Sequence, residues 1–346
     1  MLKYCFYNDY SEGAHPRILE LLQQTNNEQE IGYGADRLSE RATQLIHQAL
    51  GKPDADVHFV TGGTQANLIV LASMLRSHES VIAAQTGHIF VHEAGAIEAT
   101  GHRISIASSV DGKLTPESIK EALDQHTDEH MVKPRAVFIS NATELGTVYT
   151  RRDLENIHEF CRSRDLYLYM DGARLGAALC STASDAQLPD LCDLVDVFYI
   201  GGTKNGALIG EAIVINHPDL RRDFRYHIKQ RGALLAKGRL IATQFVGLFT
   251  DGLFFDLARH ADAMAVKLQN GISTRGFGFY SNSTTNLIFP ILPDRLIQQL
   301  LTLYGFHDYV RVDATHSAVR IVTSWATPEA RVDEFLQDFT GFPCYS

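Results

Sequence analysis

The sequence predicts an α/β protein: a large, mainly parallel sheet with helices on both faces, followed by a smaller α+β domain. Three observations predict it. Short apolar runs alternate with amphipathic stretches over much of the chain, the pattern of strands joined by crossover helices. Two of those runs end in reactive side chains, Leu168-Tyr169-Met170-Asp171 and Val197-Phe198-Tyr199-Ile200-Gly201-Gly202-Thr203-Lys204. Ligands in such sheets sit at the carboxyl ends of strands. Finally, 346 residues exceed what one core usually holds, so a second domain is expected.

Residues 1–35 read as an arm, with a helix near 16–24 and a glycine-broken tail, Ile31-Gly32-Tyr33-Gly34-Ala35-Asp36. Residues 36–250 are expected to form the large domain. Its first helix, at 37–50, gathers Leu38, Ala42, Leu45, Ile46 and Leu50 on one face. A strand at 57–60 runs into Thr61-Gly62-Gly63-Thr64 and then an apolar helix to about 76. Such a turn offers free backbone N–H groups and a helix dipole to an anion, or is simply a tight connection. It is neither a dinucleotide fingerprint nor a P-loop, since no Gly-Lys-Ser/Thr follows. Strands at 81–84, 103–106, 135–140, 166–170, 195–200 and 212–215 alternate with helices at 115–125, 151–163 and 218–228. A long helical region is expected over 234–270. Residues 251–346 form the small domain, with strands at 286–290, 309–312 and 318–322 and helices at 293–303 and 328–339.

Composition narrows the function classes. A net charge of −10 argues against nucleic acid as a main partner, because neutralising phosphates needs a basic face. The five cysteines have no metal-binding spacing and are odd in number, which favours reduced thiols in a cytoplasm. No apolar run approaches the roughly 18 residues that span a bilayer, and the first residues do not form a signal region. A small-molecule ligand at the strand ends is the remaining reading. His88, Asn141, Asp171, Lys204 and the Gly62–Thr64 turn all fall at such ends. An aspartate on one strand end and a lysine on a later one is the pairing that holds pyridoxal 5'-phosphate (PLP). His88 and His92, four apart, would share a helix face, but a zinc reading is set aside because Ile89, not Glu, follows the first histidine. No metal is expected. Arg320, mid-strand among apolar neighbours, either faces outward or holds a buried anion such as a carboxylate.

Taken in order, Asn8-Asp9, Tyr33-Gly34-Ala35-Asp36, Gly62-Gly63-Thr64, Gly87-His88 through Glu93-Ala94-Gly95, Asp171-Gly172-Ala173-Arg174, Thr203-Lys204 and Val319-Arg320 resemble the low-specificity threonine aldolases. These are PLP enzymes of the aspartate-aminotransferase fold (fold type I), within the wider β-eliminating lyase group. The resemblance implies that Lys204 carries PLP covalently, Asp171 holds its pyridine nitrogen, and His88 stacks on its ring. It implies that Gly62, Gly63, Thr64 and Thr203 bind the phosphate, with Asn141 beside the cofactor. Arg174 and Arg320 would bind the substrate carboxylate, with Asn8 and Tyr33 lining the site. Four departures stand out. The family's usual Ser-Asp start is Asn8-Asp9 here. The family's tyrosine four after the stacking histidine is His92. Its loop histidine is absent from Ser140-Asn141-Ala142-Thr143-Glu144. Its arginine that reaches a neighbour's phosphate is replaced by Lys237 or Arg239. The implied reaction is aldol cleavage of L-threonine or L-allo-threonine to glycine and acetaldehyde, with His88 or His92, or less readily Glu144, as the base. The alternatives are β-elimination from an aromatic or sulfur amino acid, and a non-catalytic PLP-binding protein. A homodimer or homotetramer with shared sites is expected.

Overall fold

The computed structural model describes residues 2–340; Cys344 and the end of the small domain lie outside the described residues. The arm contributes a two-residue strand, β1 (Tyr4–Cys5), and helix α1 (Pro16–Thr25); α2 (Arg37–Leu50) follows, capped by the Asp36 carboxylate and ended by Gly51 in the left-handed region. The central sheet has seven strands: β2 (Asp56–Val60), β3 (Glu79–Ala84), β4 (Arg103–Ala107), β5 (Lys133–Ser140), β6 (Tyr167–Asp171), β7 (Val197–Gly201) and β8 (Glu211–Ile215). Their spatial order is β2-β8-β7-β6-β5-β3-β4. All neighbours are parallel except β8, which runs against both β2 and β7. The reason is length. Loop 202–210 is shorter than the dozen or more residues a crossover needs, so β7 and β8 can only form a hairpin. That hairpin loop carries Lys204.

The sheet is buried on both faces, and residue alternation divides its side chains between two cores. Ile82, Val137, Ile139, Leu168, Met170, Phe198 and Ile200 face one core. They meet α2, α5 (Pro116–Asp124), α6 (Arg151–Ser163), α7 (Leu175–Cys180) and α10 (Arg239–Phe249) there. Val81, Ala83, Phe138, Tyr169, Val197 and Tyr199 face the other, against α3 (Gly63–Met74) and α9 (Phe224–Gln230). Two short helices, α4 (His88–Val91) and α8 (Leu191–Leu194), complete this domain.

Two expected helices change shape. The region 234–270 is two helices, α10 and α11 (Leu253–Ser273), whose axes turn by 73°. The break falls where Thr250 is extended and Asp251 and Gly252 take φ of +55° and +75°, a conformation that an Asp-Gly pair tolerates and a helix does not. The expected 218–228 helix begins only at Phe224, after a single 3-10 turn at Pro218–Leu220. No single helix among the described residues is long and apolar enough to cross a membrane.

The remaining residues build a four-stranded antiparallel sheet. In it β13 (His316–Val322) pairs with β9 (Leu287–Ile288), β10 (Ile291–Pro293) and β12 (His307–Arg311), while β11 (Tyr304–Gly305) takes β1 of the arm as a parallel neighbour. Helices α12 (Asp294–Leu301) and α13 (Glu329–Thr340) cover it. α11 belongs to both cores: Phe254 and Leu257 pack in the large one, Leu268 and Ile272 in the small one. The arm does the same, with Ile18 in the large core and Phe6 in the small one.

Candidate active site

Strand ends and one hairpin loop converge at the carboxyl edge of the large sheet. Asp171 ends β6, Asn141 follows β5, and His88 opens α4 after β3. The β5–β6 register sets Ser140 beside Asp171, and the Asn141 amide donates to the Asp171 carbonyl at 2.9 Å. Close approach at the ends of β6 and β7 requires glycine. A Cβ on Gly201 would lie 2.4 Å from the Ala173 carbonyl oxygen, and one on Gly63 would lie 2.8 Å from the Tyr199 hydroxyl.

Asp171 is 4% exposed and receives three donors: the Tyr199 hydroxyl (2.5 Å) and Ala173 amide (3.0 Å) on Oδ1, and the Asn67 side-chain amide (3.0 Å) on Oδ2. A carboxylate has about four acceptor positions, so one is left for a ligand. Lys204 is recessed in its loop. Burial first, then the Arg174 charge, lowers its amine below the ordinary lysine value, with Asp9, Asp171 and Glu211 pulling the other way. A lowered amine is more often unprotonated and nucleophilic. Glu211 stands opposite Gly201 across the hairpin and accepts the Gly202 amide at 2.9 Å; burial raises its carboxyl.

The arginines differ from one another. Arg174 is held by Asp9 in a two-bond fork, Nε to Oδ2 at 2.7 Å and Nη2 to Oδ1 at 2.9 Å. Asp9 is 1% exposed and also accepts from Asn286 Nδ2 at 2.9 Å, so arm, large domain and small domain meet on one carboxylate. Arg320, in contrast, has a buried Nε with no partner, and burial and Arg174 lower its guanidinium. A second orphan donor is the buried Nδ2 of Asn141, whose Oδ1 accepts the Tyr149 amide at 3.2 Å.

His88 and His92 have ring centroids 5.5 Å apart. Burial first, then its neighbours His88, Arg320 and Lys204, push His92 below the ordinary histidine value. His88 Nδ1 lies 2.7 Å from Glu93 Oε1, and its backbone amide donates to Glu144 Oε1 at 2.9 Å. Glu144 also accepts the Ser140 hydroxyl at 2.7 Å; burial raises its carboxyl. The trio His88, Glu93 and Asp171, close enough together to resemble a metal site, does not include His92, and Asn67 Nδ2 bridges its two carboxylates.

Other expected residues have local tasks or stand elsewhere. Asn8 Oδ1 accepts the Tyr10 amide and the Ser11 hydroxyl. Thr203 Oγ1 accepts the Gly210 amide at 3.0 Å, closing the Lys204 loop. Gly62 opens α3 with no side-chain cap, and Thr64 is exposed on its first turn. Tyr33 and Lys237 form a second group. Tyr33, with φ of +62°, lies under Lys229 and accepts Arg225 on its carbonyl, and exposed Lys237 borders a recess with Gly32 and Arg239. Sequence reasoning passed over Asn67, Glu93, Tyr199 and Glu211. Two of them carried a signal: Asn67 is a polar residue just before the apolar run Leu68–Leu71 of α3, and Glu93 stands in the Gly87–Gly95 motif.

Comparison with known proteins agrees with this geometry. The model of the beta-eliminating lyase family matches residues 14–293. The low-specificity L-threonine aldolase of Pseudomonas aeruginosa is 35% identical over 337 residues, 96% of each chain. A threonine aldolase structure from Leishmania major superposes with a TM-score of 0.96 at 45% identity, covering 98% of this chain and 99% of that one. An aspartate aminotransferase from Thermus thermophilus shares the fold, with a TM-score of 0.72 at 13% identity over 98% of this chain and 91% of that one. The chain belongs to the beta-eliminating lyases, PLP-dependent enzymes of the aspartate-aminotransferase fold, and within them to the low-specificity L-threonine aldolases.

Proposed function

We propose that this enzyme cleaves L-threonine or L-allo-threonine to glycine and acetaldehyde, with PLP carried on Lys204. The observation that carries the reading is the meeting of a depressed lysine amine, an aspartate with one acceptor position to spare, and an unpartnered arginine at one sheet edge. The residues fit the cofactor. Lys204 supplies the amine, Asp171 the anion for a protonated pyridine nitrogen, the uncapped start of α3 the phosphate cradle, and Asn141 Nδ2 a free donor. When bound, PLP supplies the electron sink that lets the Cα–Cβ bond break.

The protein's own groups do the rest. Arg320 grips the substrate carboxylate, and Asp9 presents Arg174 beside it in one orientation. The proton of the β-hydroxyl passes to the His88–His92 pair, a transfer worth typically about 10²–10⁴-fold. Tyr33 and Lys237, grouped apart from Lys204, support a homodimer or tetramer in which a second copy supplies them to the site. The free thiols of Cys5, Cys161, Cys180 and Cys192 support a reducing compartment such as the cytoplasm. Incubation of the PLP-loaded enzyme with each threonine isomer tests the reading: acetaldehyde and glycine are expected from one or both. Pyruvate and ammonia instead would assign β-elimination, and no product from either isomer would end it.

A further inference from the structure

We propose that Glu93 is a positioning residue that holds His88 with its proton on Nδ1, leaving a bare Nε2 to receive the β-hydroxyl proton. The proposal rests on the aldol-cleavage reading above for its last step. Its geometry stands independently.

The argument is a count of donors and acceptors. Tyr169 donates its hydroxyl to Asn67 Oδ1 at 2.7 Å, and a phenol buried beside Asp171 and Glu93 stays protonated. That sets the orientation of the Asn67 amide. Both hydrogens of Nδ2 are then spent, one on Glu93 Oε1 at 2.6 Å and one on Asp171 Oδ2 at 3.0 Å. Glu93 Oε1 is therefore an acceptor, and the atom 2.7 Å from it on the other side is His88 Nδ1. Two acceptors facing across 2.7 Å would repel, so Nδ1 carries the hydrogen. A neutral imidazole with its hydrogen on Nδ1 has its lone pair on Nε2. The Glu93 side chain is sealed from solvent, so the two hydrogen bonds on Oε1, from Asn67 Nδ2 and from His88 Nδ1–H, stand in place of water.

Two consequences follow for the reaction. The O–H bond of the substrate breaks, an Nε2–H bond forms, and the imidazolium charge faces the Glu93 carboxylate across the Nδ1 hydrogen bond. Asn67 also ties the histidine to the acid at the other end of the site. His88, Glu93, Asn67 and Asp171 form one hydrogen-bonded chain, which sets the spacing between the histidine ring and the Asp171 carboxylate.

The test uses cofactor-free and PLP-loaded protein in parallel. With histidine labelled by ¹⁵N, two-bond proton–nitrogen correlation reads which ring nitrogen carries hydrogen, and a His88→Asn variant identifies the signal. In cofactor-free wild type, His88 should show hydrogen on Nδ1 and a bare Nε2. Glu93→Met, which removes the acceptor, should release His88 to the Nε2–H form. Glu93→Gln keeps an acceptor but removes the charge. It should retain the PLP absorbance and a KM within about twofold, while kcat falls on the order of 10²-fold. A wild-type His88 with hydrogen on Nε2, or a Glu93→Gln enzyme with unchanged kcat, would overturn the proposal. If wild type releases no acetaldehyde, the proposed reaction fails, and the ring signal still decides the tautomer.

Discussion

Asp262 offers a quantitative check on how this structure treats buried charge. It lies on α11, is 6% exposed, and neither carboxyl oxygen has a partner in good hydrogen-bonding geometry. Burial pushes its carboxyl from the ordinary 3.8 up to about 8, with only the Asn286 amide pulling the other way. The same Asn286 holds Asp9 with its side chain, so this carboxyl sits behind the arginine clamp. The folded state binds the Asp262 proton more tightly than the unfolded state. Its contribution is therefore fully present below about 3.8 and is lost as pH climbs toward about 8. Each unit in that window costs on the order of 1 kcal/mol, so the loss from pH 5 to pH 7 is roughly 2–3 kcal/mol. Asp262→Asn has the same shape and no proton to lose. The stability of the variant relative to wild type should therefore rise with pH, whatever its absolute value at pH 5. At about 2 °C per kcal/mol for a long chain, the Tm difference should open by about 5 °C between pH 5 and pH 7 and level off above pH 8. Melting curves of both proteins across that range measure it. A difference that stays flat, or closes as pH rises, would refute the argument that Asp262 is folded as a neutral acid.

Three other outcomes are expected. Lys204→Ala should abolish the visible absorbance of lysine-linked PLP; a band that survives in the variant would remove Lys204 from its role. Arg320→Ala should lower kcat/KM by about 10- to 100-fold, the worth of a charged hydrogen bond to the substrate carboxylate, and unchanged kinetics would turn Arg320 back into a structural residue. Asp9→Asn breaks a buried ion pair and strands Arg174. It should cost about 3–5 kcal/mol of stability and raise KM, with cofactor absorbance retained, as thermal melts and steady-state rates would show.

Much of the fold was legible because it rests on local periodicity. Strands with residues alternating between two cores, such as Phe198 and Tyr199, announce a sheet covered on both faces wherever they occur. The hinge at Asp251-Gly252 was misread as continuous helix because its apolar flanks share one periodicity; only the packing of α11 on two cores made a turn there necessary.

The sequence by itself determined which side chains stand at strand ends. Lys204 and Asp171 follow apolar runs, and a strand that must be buried delivers its last residue to the sheet edge. It could not determine what those side chains touch. Arg174 to Asp9, Asn67 to Asp171 and Asp9 to Asn286 join residues 165, 104 and 277 positions apart. No local rule chooses among the carboxylates and amides of the chain. Those pairings are decided only when packing closes the site, where most buried donors find an acceptor and two that do not, Arg320 Nε and Asn141 Nδ2, are left for a ligand.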